Sequence, residues 1–279
     1  MLPHQLGGVC LCDAKSTPAL QDEASSPHHD WPYFFEADQL SFGETHKLLN
    51  AFVTSVRLSS DVDLEVGPYA IEEPDWPHMI ASPPKQSAAS WGHYGKTLST
   101  EALEFAVRFS PRLAHFSMRQ SFNRVSNALR LYTSALDLNP SDVALVVFIS
   151  VLEGLFSTAT QELSYRLGLA VSWFLASAKD ERLQLFGEVK DLYAIRSKIV
   201  HGNRITRDEE QAAILLAENY VPRAEELVRR SIRKILEEGI DGFIETTNNL
   251  DAFYQLLVLG FTAPEALERL SSSSARLQH

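Results

Sequence analysis

The chain has 279 residues, 45% hydrophobic and 22% charged, with a formal net charge of -11. This is an ordinary composition for a globular protein in water, and the length suffices for one large domain or a domain with an accessory piece. No apolar run approaches the ~20 residues that a membrane-spanning helix needs. Cys10 and Cys12 are the only cysteines, so a disulfide scaffold is excluded and no second pair exists to complete a tetrahedral zinc site. The expectation is a cytoplasmic protein with no membrane partner, no metal and no cofactor. Residues 1–100 carry 5 Lys/Arg against 13 Asp/Glu, and residues 101–279 carry 20 against 23. An acid excess disfavours general nucleic-acid binding, so any RNA site must be a local basic patch.

Residues 1–30 mix Gly7-Gly8, Ser25-Ser26-Pro27 and His28-His29 without apolar periodicity and read as a flexible tail. They show no secretory signal pattern. Residues 31–98 read as an accessory region of mixed α/β texture. There Ser41-Phe42-Gly43-Glu44 has the spacing of a capping box, and Leu48, Leu49, Phe52, Val53 and Val56 follow at helical spacing. Asp63-Leu64-Glu65-Val66 alternates like a short strand ending at Gly67-Pro68. From Glu73 to Gly95 the density of Pro, Ser and Gly predicts a long loop.

From Ser99 onward the pattern is helical, and the spacing predicts a bundle over residues 99–245 followed by terminal helices and a frayed end over 246–279. Helices are expected over 101–118, with a possible break at Pro111, and over 121–136, stopping at Asn139-Pro140. The next, through Phe156, has Ser141-Asp142 to cap it. Further helices are expected over 160–176 and 180–201. Residues 206–238 form a long helical pattern that Pro222 should kink or break. Residues 252–259 and 263–270 complete the set. Consecutive amphipathic helices with short connections imply a mainly α, antiparallel bundle. Leu185, Leu192 and Ile199 are expected in its core.

The densest signal is Leu192-Tyr193-Ala194-Ile195-Arg196-Ser197-Lys198-Ile199-Val200-His201-Gly202, an Arg followed by a polar residue and, after a gap of four, a His. Val151-Leu152-Glu153-Gly154-Leu155-Phe156 and Tyr165-Arg166-Leu167 precede it. Together these segments resemble the Apea-like group of the HEPN superfamily, over roughly residues 100–240. The resemblance implies an antiparallel HEPN-type bundle that pairs as a homodimer. It also implies a metal-independent endoribonuclease that cleaves RNA by 2′-OH attack, in defence or a toxin-like response. His201 would then handle protons, Arg196 would hold phosphoryl oxygens and Ser197 would orient one of them, with Lys198, Asn203 and Arg204 contacting the substrate. The same family includes non-catalytic modules that bind a protein or a nucleotide, which is the alternative. Some relatives carry a nucleotide-accepting Tyr two residues after the His; Asn203 stands there, against that scheme.

The residues themselves allow the chemistry. At about 100° per residue, Ser197 and His201 share one helix face and Arg196 lies some 140° from His201. Gly202 can take the left-handed conformation that closes a helix. An imidazole serves as acid or base near neutral pH, and a guanidinium stabilises the extra charge of a phosphorane.

Other charged residues have structural readings. Glu153, in an otherwise apolar helix, is expected to form a structural ion pair with a neighbour such as Arg166, and Glu162 and Arg166 are spaced for an intrahelical pair. Arg223, Arg229, Arg230, Arg233 and Lys234 form the densest basic run. Glu225, Glu226, Glu237 and Glu238 interrupt it, which favours a solvated face over an RNA-binding one.

Overall fold

A computed structural model of the chain describes residues 4–6, 9–13, 33–37, 42–60, 69–73, 76–81, 99–118, 123–138, 140–158 and 161–276. It is mainly helical and divides into two compact units: Met1–Gln86 with Gly95–Arg119, and Ser87–Tyr94 with Gln120–His279.

In the first unit, α1 (Phe42–Ser59) and α2 (Thr100–Met118) pack against each other. The contact buries Phe52, Val53 and Val56 of α1 and Phe105, Ala106 and Phe109 of α2, at about 1.5–3 kcal/mol for each large side chain. Periodicity alone would open the bundle at α2. The structure instead places α2 in the unit of α1, because its apolar stripe is covered there. Pro111 lies inside α2 without ending it, and the neighbouring Ser110 hydroxyl donates to the Ala106 carbonyl. Strands β1 (His4–Leu6), β2 (Val9–Asp13) and β3 (Tyr33–Ala37) pair antiparallel in that order, and β4 (Tyr69–Glu73) pairs antiparallel with β5 (Trp76–Ala81). Two strands thus fall in the expected tail and one in the expected loop after Glu73; both segments are too short in apolar alternation for the pattern to register. The expected strand over 63–66 lies outside the described residues.

The second unit contains α3 (Arg124–Leu136), α4 (Ser141–Phe156), α5 (Leu163–Leu175), α6 (Lys179–Val200), α7 (Glu209–Leu215), α8 (Val221–Glu238), α9 (Thr247–Val258) and α10 (Ala263–Arg276). Helix α4 packs on α3, α5, α6 and α8. Its sequence explains this: Leu145, Phe148, Ile149, Val151, Leu152 and Leu155 are apolar around most of the helix, and all are buried. Truncating one of them, such as Leu152→Ala, is expected to cost about 2–5 kcal/mol. The terminal helices α9 and α10 belong to this unit, with Phe253 and Tyr254 of α9 stacked edge-on near Phe174 of α5.

The caps follow side-chain chemistry. Asn123 begins α3 by accepting the Val125 and Ser126 amides, and Asp208 begins α7 by accepting those of Glu210 and Gln211. Helix α4 starts from Pro140 without a side-chain cap. Pro222 acts as its missing N–H requires: residues 216–220 form a π-helical turn, and Pro222 sits in the first turn of α8. Helices α5 and α6 approach closely at Gly168, where a Cβ would meet the Phe186 ring at 3.0 Å and its carbonyl oxygen at 3.3 Å. In α6, Leu185, Val189, Leu192 and Ile195 form the buried stripe. Ile199 is only half-buried and Val200 is exposed, because the final turn of α6 extends past the cover that the earlier turns receive.

Candidate functional site at the end of helix 6

Helix α6 closes through hydrogen bonding that only a left-handed residue permits. Gly202 has φ 67°; its amide donates to the Ile199 carbonyl at 3.0 Å and the Asn203 amide donates to the Lys198 carbonyl at 2.7 Å. This is a Schellman closure, and a side chain at position 202 would strain it. The closure places His201 at the carbonyl end of the helix, exposed to solvent, where the helix dipole presents its negative pole. Lys198, Asn203 and Arg204 are exposed around the same turn, as is Arg207 in the segment that follows. Among the described residues, none of Lys198, Arg204 and Arg207 has a carboxylate within ion-pair distance.

Arg196 faces the interior side of α6. Its Nη2 lies 3.6 Å from Oε2 of Glu153 on α4, and the two side chains are about three-quarters buried. The guanidinium also lies 5.5 Å from the centre of the Tyr193 ring, one turn back. Burial raises the Tyr193 pKa; the Glu153 charge raises it further, Arg196 opposes this, and hydrogen bonding to Glu153 adds a smaller upward push. The three side chains form one cluster where α4 meets α6. The pairing is incomplete, because Glu153 Oε1 and Arg196 Nε are buried without a hydrogen-bond partner. An unmet buried polar atom costs about 1–3 kcal/mol.

The expected pair of Glu153 with Arg166 does not form. Arg166 points outward and its Nε lies 3.9 Å from Glu162, with both side chains largely exposed. The reason is rotational position: Glu153 meets the face of α6 that carries Arg196, while Arg166 lies on the solvent side of α5. Glu162 precedes α5 in the left-handed region, at φ 54°, and the i,i+4 spacing then brings it to Arg166.

The basic run on α8 is internally neutralised. Arg223 meets Glu188 at 2.7 Å, Arg229 meets Glu225 at 3.2 Å, Arg230 meets Glu181 at 3.5 Å, and Arg233 meets Glu237 at 2.8 Å. Lys234 meets Glu238 at 3.6 Å and donates to the Phe174 carbonyl at 2.7 Å. Glu225 is itself buried, accepts the Tyr132 hydroxyl at 2.8 Å, and has its pKa raised chiefly by burial.

The sequence singles out His201, Arg196 and Gly202 but assigns no role to Tyr193, and it pairs Glu153 with a neighbour such as Arg166 where the structure pairs it with Arg196. Tyr193, three residues before Arg196, carried the only available signal, since i,i+3 residues are neighbours on a helix. Among the described residues, no group of three or more His, Cys, Asp or Glu side chains is placed to hold a metal ion, and no helix is long and apolar enough to cross a membrane. Comparison of the chain with protein-family models, curated proteins and solved structures gives no match.

Proposed function

We propose that the end of α6 is the active site of a metal-independent endoribonuclease of HEPN type, working as a homodimer in which two α6 ends face each other across an antiparallel bundle. The observation that carries this reading is the exposed imidazole at the end of α6 with cations free of carboxylates around the same turn, while the Arg196 guanidinium lies farther back on the helix, paired with Glu153. His201 takes the proton from the attacking 2′-OH, and the imidazole of the second copy returns one to the leaving 5′-oxygen. Arg196 keeps N–H donors beyond the one directed at Glu153, since a guanidinium has five, and these hold the phosphoryl oxygens as charge develops. Ser197, on the face of His201, orients one of those oxygens. Lys198, Asn203 and Arg204 hold the flanking strand. The product is a 2′,3′-cyclic phosphate. A role in defence or a toxin-like response comes with the same family resemblance.

A second reading is favoured by the Glu153–Arg196 pair: a guanidinium committed to α4 suits a non-catalytic HEPN module that binds a protein or nucleotide. RNA incubation in EDTA separates the two. The nuclease reading expects cleavage by the wild-type chain and none by a folded, dimeric His201→Ala variant. Equal cleavage by both removes His201 from the chemistry, and no cleavage by either leaves the binding module.

A further inference from the structure

A second feature lies along the same helix, away from the motif. A groove of about 460 Å³ is lined by Glu162, Leu163, Ser164 and Tyr165 at the start of α5 and by Lys190 and Tyr193 of α6. Tyr165 is 53% exposed, unusual for a large aromatic side chain. Its ring packs at a near-right angle to Phe186, with centroids 5.7 Å apart, and keeps a free surface. Lys190 is exposed, with its ammonium 5.4 Å from the centre of the same Phe186 ring. Among the described residues it has no carboxylate within ion-pair distance. The one acid in the groove, Glu162, is directed at Arg166.

The α6 wall of the groove lies on the same helical face as the motif. Phe186, Lys190, Tyr193, Ser197 and His201 are spaced by four, three, four and four residues, which at about 100° per residue holds them within roughly 80° of one face. With a rise of about 1.5 Å per residue, Tyr193 lies about 12 Å and Lys190 about 16 Å along the axis from His201. That is the length of about three to five stacked nucleotides at ~3.4 Å each. Tyr193 is also the phenol beside Glu153 and Arg196, so whatever seats against it touches the group that orders the guanidinium.

We propose that this groove is a subsite for one unpaired base of single-stranded RNA, which stacks on Tyr165 against the Tyr193 wall while Lys190 meets a neighbouring phosphate. The inference rests on the nuclease reading of the α6 end and extends it by assigning the residues that seat one base of the strand away from the α6 end. Stacking on an aromatic ring recognises any base face and needs the base out of a duplex. The subsite therefore selects single strands over helices without selecting sequence.

The test uses the full chain and a labelled single-stranded RNA oligonucleotide in EDTA. Binding is read by fluorescence anisotropy in the His201→Ala background, and cleavage is read separately with His201 intact. Tyr165→Ala is expected to weaken binding roughly 5- to 100-fold, the range that loss of one base–aromatic stack gives. Tyr165→Phe keeps the ring and should bind within twofold of its parent. Lys190→Gln should weaken binding severalfold, whereas Lys179→Gln, an exposed lysine at the start of α6 outside the groove, should not. Because Tyr165 and Lys190 are exposed, the variants should melt with their parent; if Tyr165→Ala does not fold, Lys190→Gln against Lys179→Gln decides. In cleavage, the groove variants should raise KM with kcat unchanged. If the wild-type chain cuts RNA but Tyr165→Ala and Lys190→Gln bind as their parent does, the groove is overturned and the nuclease reading stands. If the chain neither binds nor cuts RNA, both are overturned.

Discussion

Two basic regions of the second unit look alike in sequence and differ in structure. Helix α8 has the higher density of cations, yet Arg223, Arg229, Arg230, Arg233 and Lys234 each have a carboxylate partner within 3.6 Å. The end of α6 has fewer, yet Lys198, Arg204 and Arg207 have no such partner among the described residues. A cation already paired within the chain offers little to a phosphate, because binding must first break the pair and desolvate both groups. Availability of charge, not its density, marks a site for a polyanion. The α6 end also holds chemistry that α8 lacks, an imidazole one residue from the helix end and a guanidinium held by Glu153.

Removing one residue from each region should separate the two most strongly. His201→Ala should reduce RNA cleavage by about 100- to 10,000-fold, the contribution expected of a positioned acid–base group. Arg230→Ala should leave the rate within about twofold, since its partners Glu181 and Glu226 are exposed surface acids. A comparable loss from both would erase the distinction between the regions.

Arg196→Ala should act twice. Loss of a charge-stabilising donor should lower kcat by about 100- to 1,000-fold. Loss of the partner of Glu153 should lower the unfolding free energy by about 1–3 kcal/mol, because Glu153 then keeps a largely buried charge unpaired. Glu153→Gln shows the converse: it should retain most of the stability and loosen the guanidinium, raising KM or lowering kcat modestly. If Arg196→Ala loses stability and the wild-type chain has no cleavage to lose, the pair is structural and the binding-module reading prevails.

Glu225 on α8 should matter for stability alone. Glu225→Ala removes a buried acceptor of the Tyr132 hydroxyl and weakens the hold on Arg229, at about 2–4 kcal/mol, with no change in cleavage per folded molecule. Its pH signature has a definite sign. Burial raises its folded pKa above the ordinary carboxylate value of about 4.5, so the native state holds the proton more tightly than the unfolded chain does. The stabilisation is therefore complete below about 4.5 and declines as pH rises through the raised pKa. Chemical denaturation across that interval should show the decline, and Glu225→Gln should flatten it.

How much of this the sequence shows depends on the kind of interaction. The helices of the second unit were readable because their apolar spacing is regular, and Gly202 and Pro222 marked their own positions through backbone chemistry. Helix α2 was readable as a helix but not as the partner of α1, since an apolar stripe does not say what covers it. Glu153 was readable as an acid needing a cation, but the choice between Arg166 and Arg196 turns on the rotation of α5 and α6 against α4. The groove beside Tyr165 was not readable at all, because it is made by two helices meeting. On α8 the interleaved acids were visible, and i,i+4 spacing explains Arg229, Arg233 and Lys234; the partners Glu188 and Glu181 on α6 required the packing.

The α6 end, and not α8, presents available charge. This is tested most directly by the salt dependence of RNA binding for two double variants, Lys198→Gln/Arg204→Gln and Arg230→Gln/Arg233→Gln. For single strands, log Kd changes with log salt concentration by about 0.7 for each phosphate neutralised. The α6 variant should bind more weakly at low salt with a slope reduced by about 1.4, and the α8 variant should keep the wild-type slope and affinity. An unchanged slope in the α6 variant together with a reduced slope in the α8 variant would contradict it.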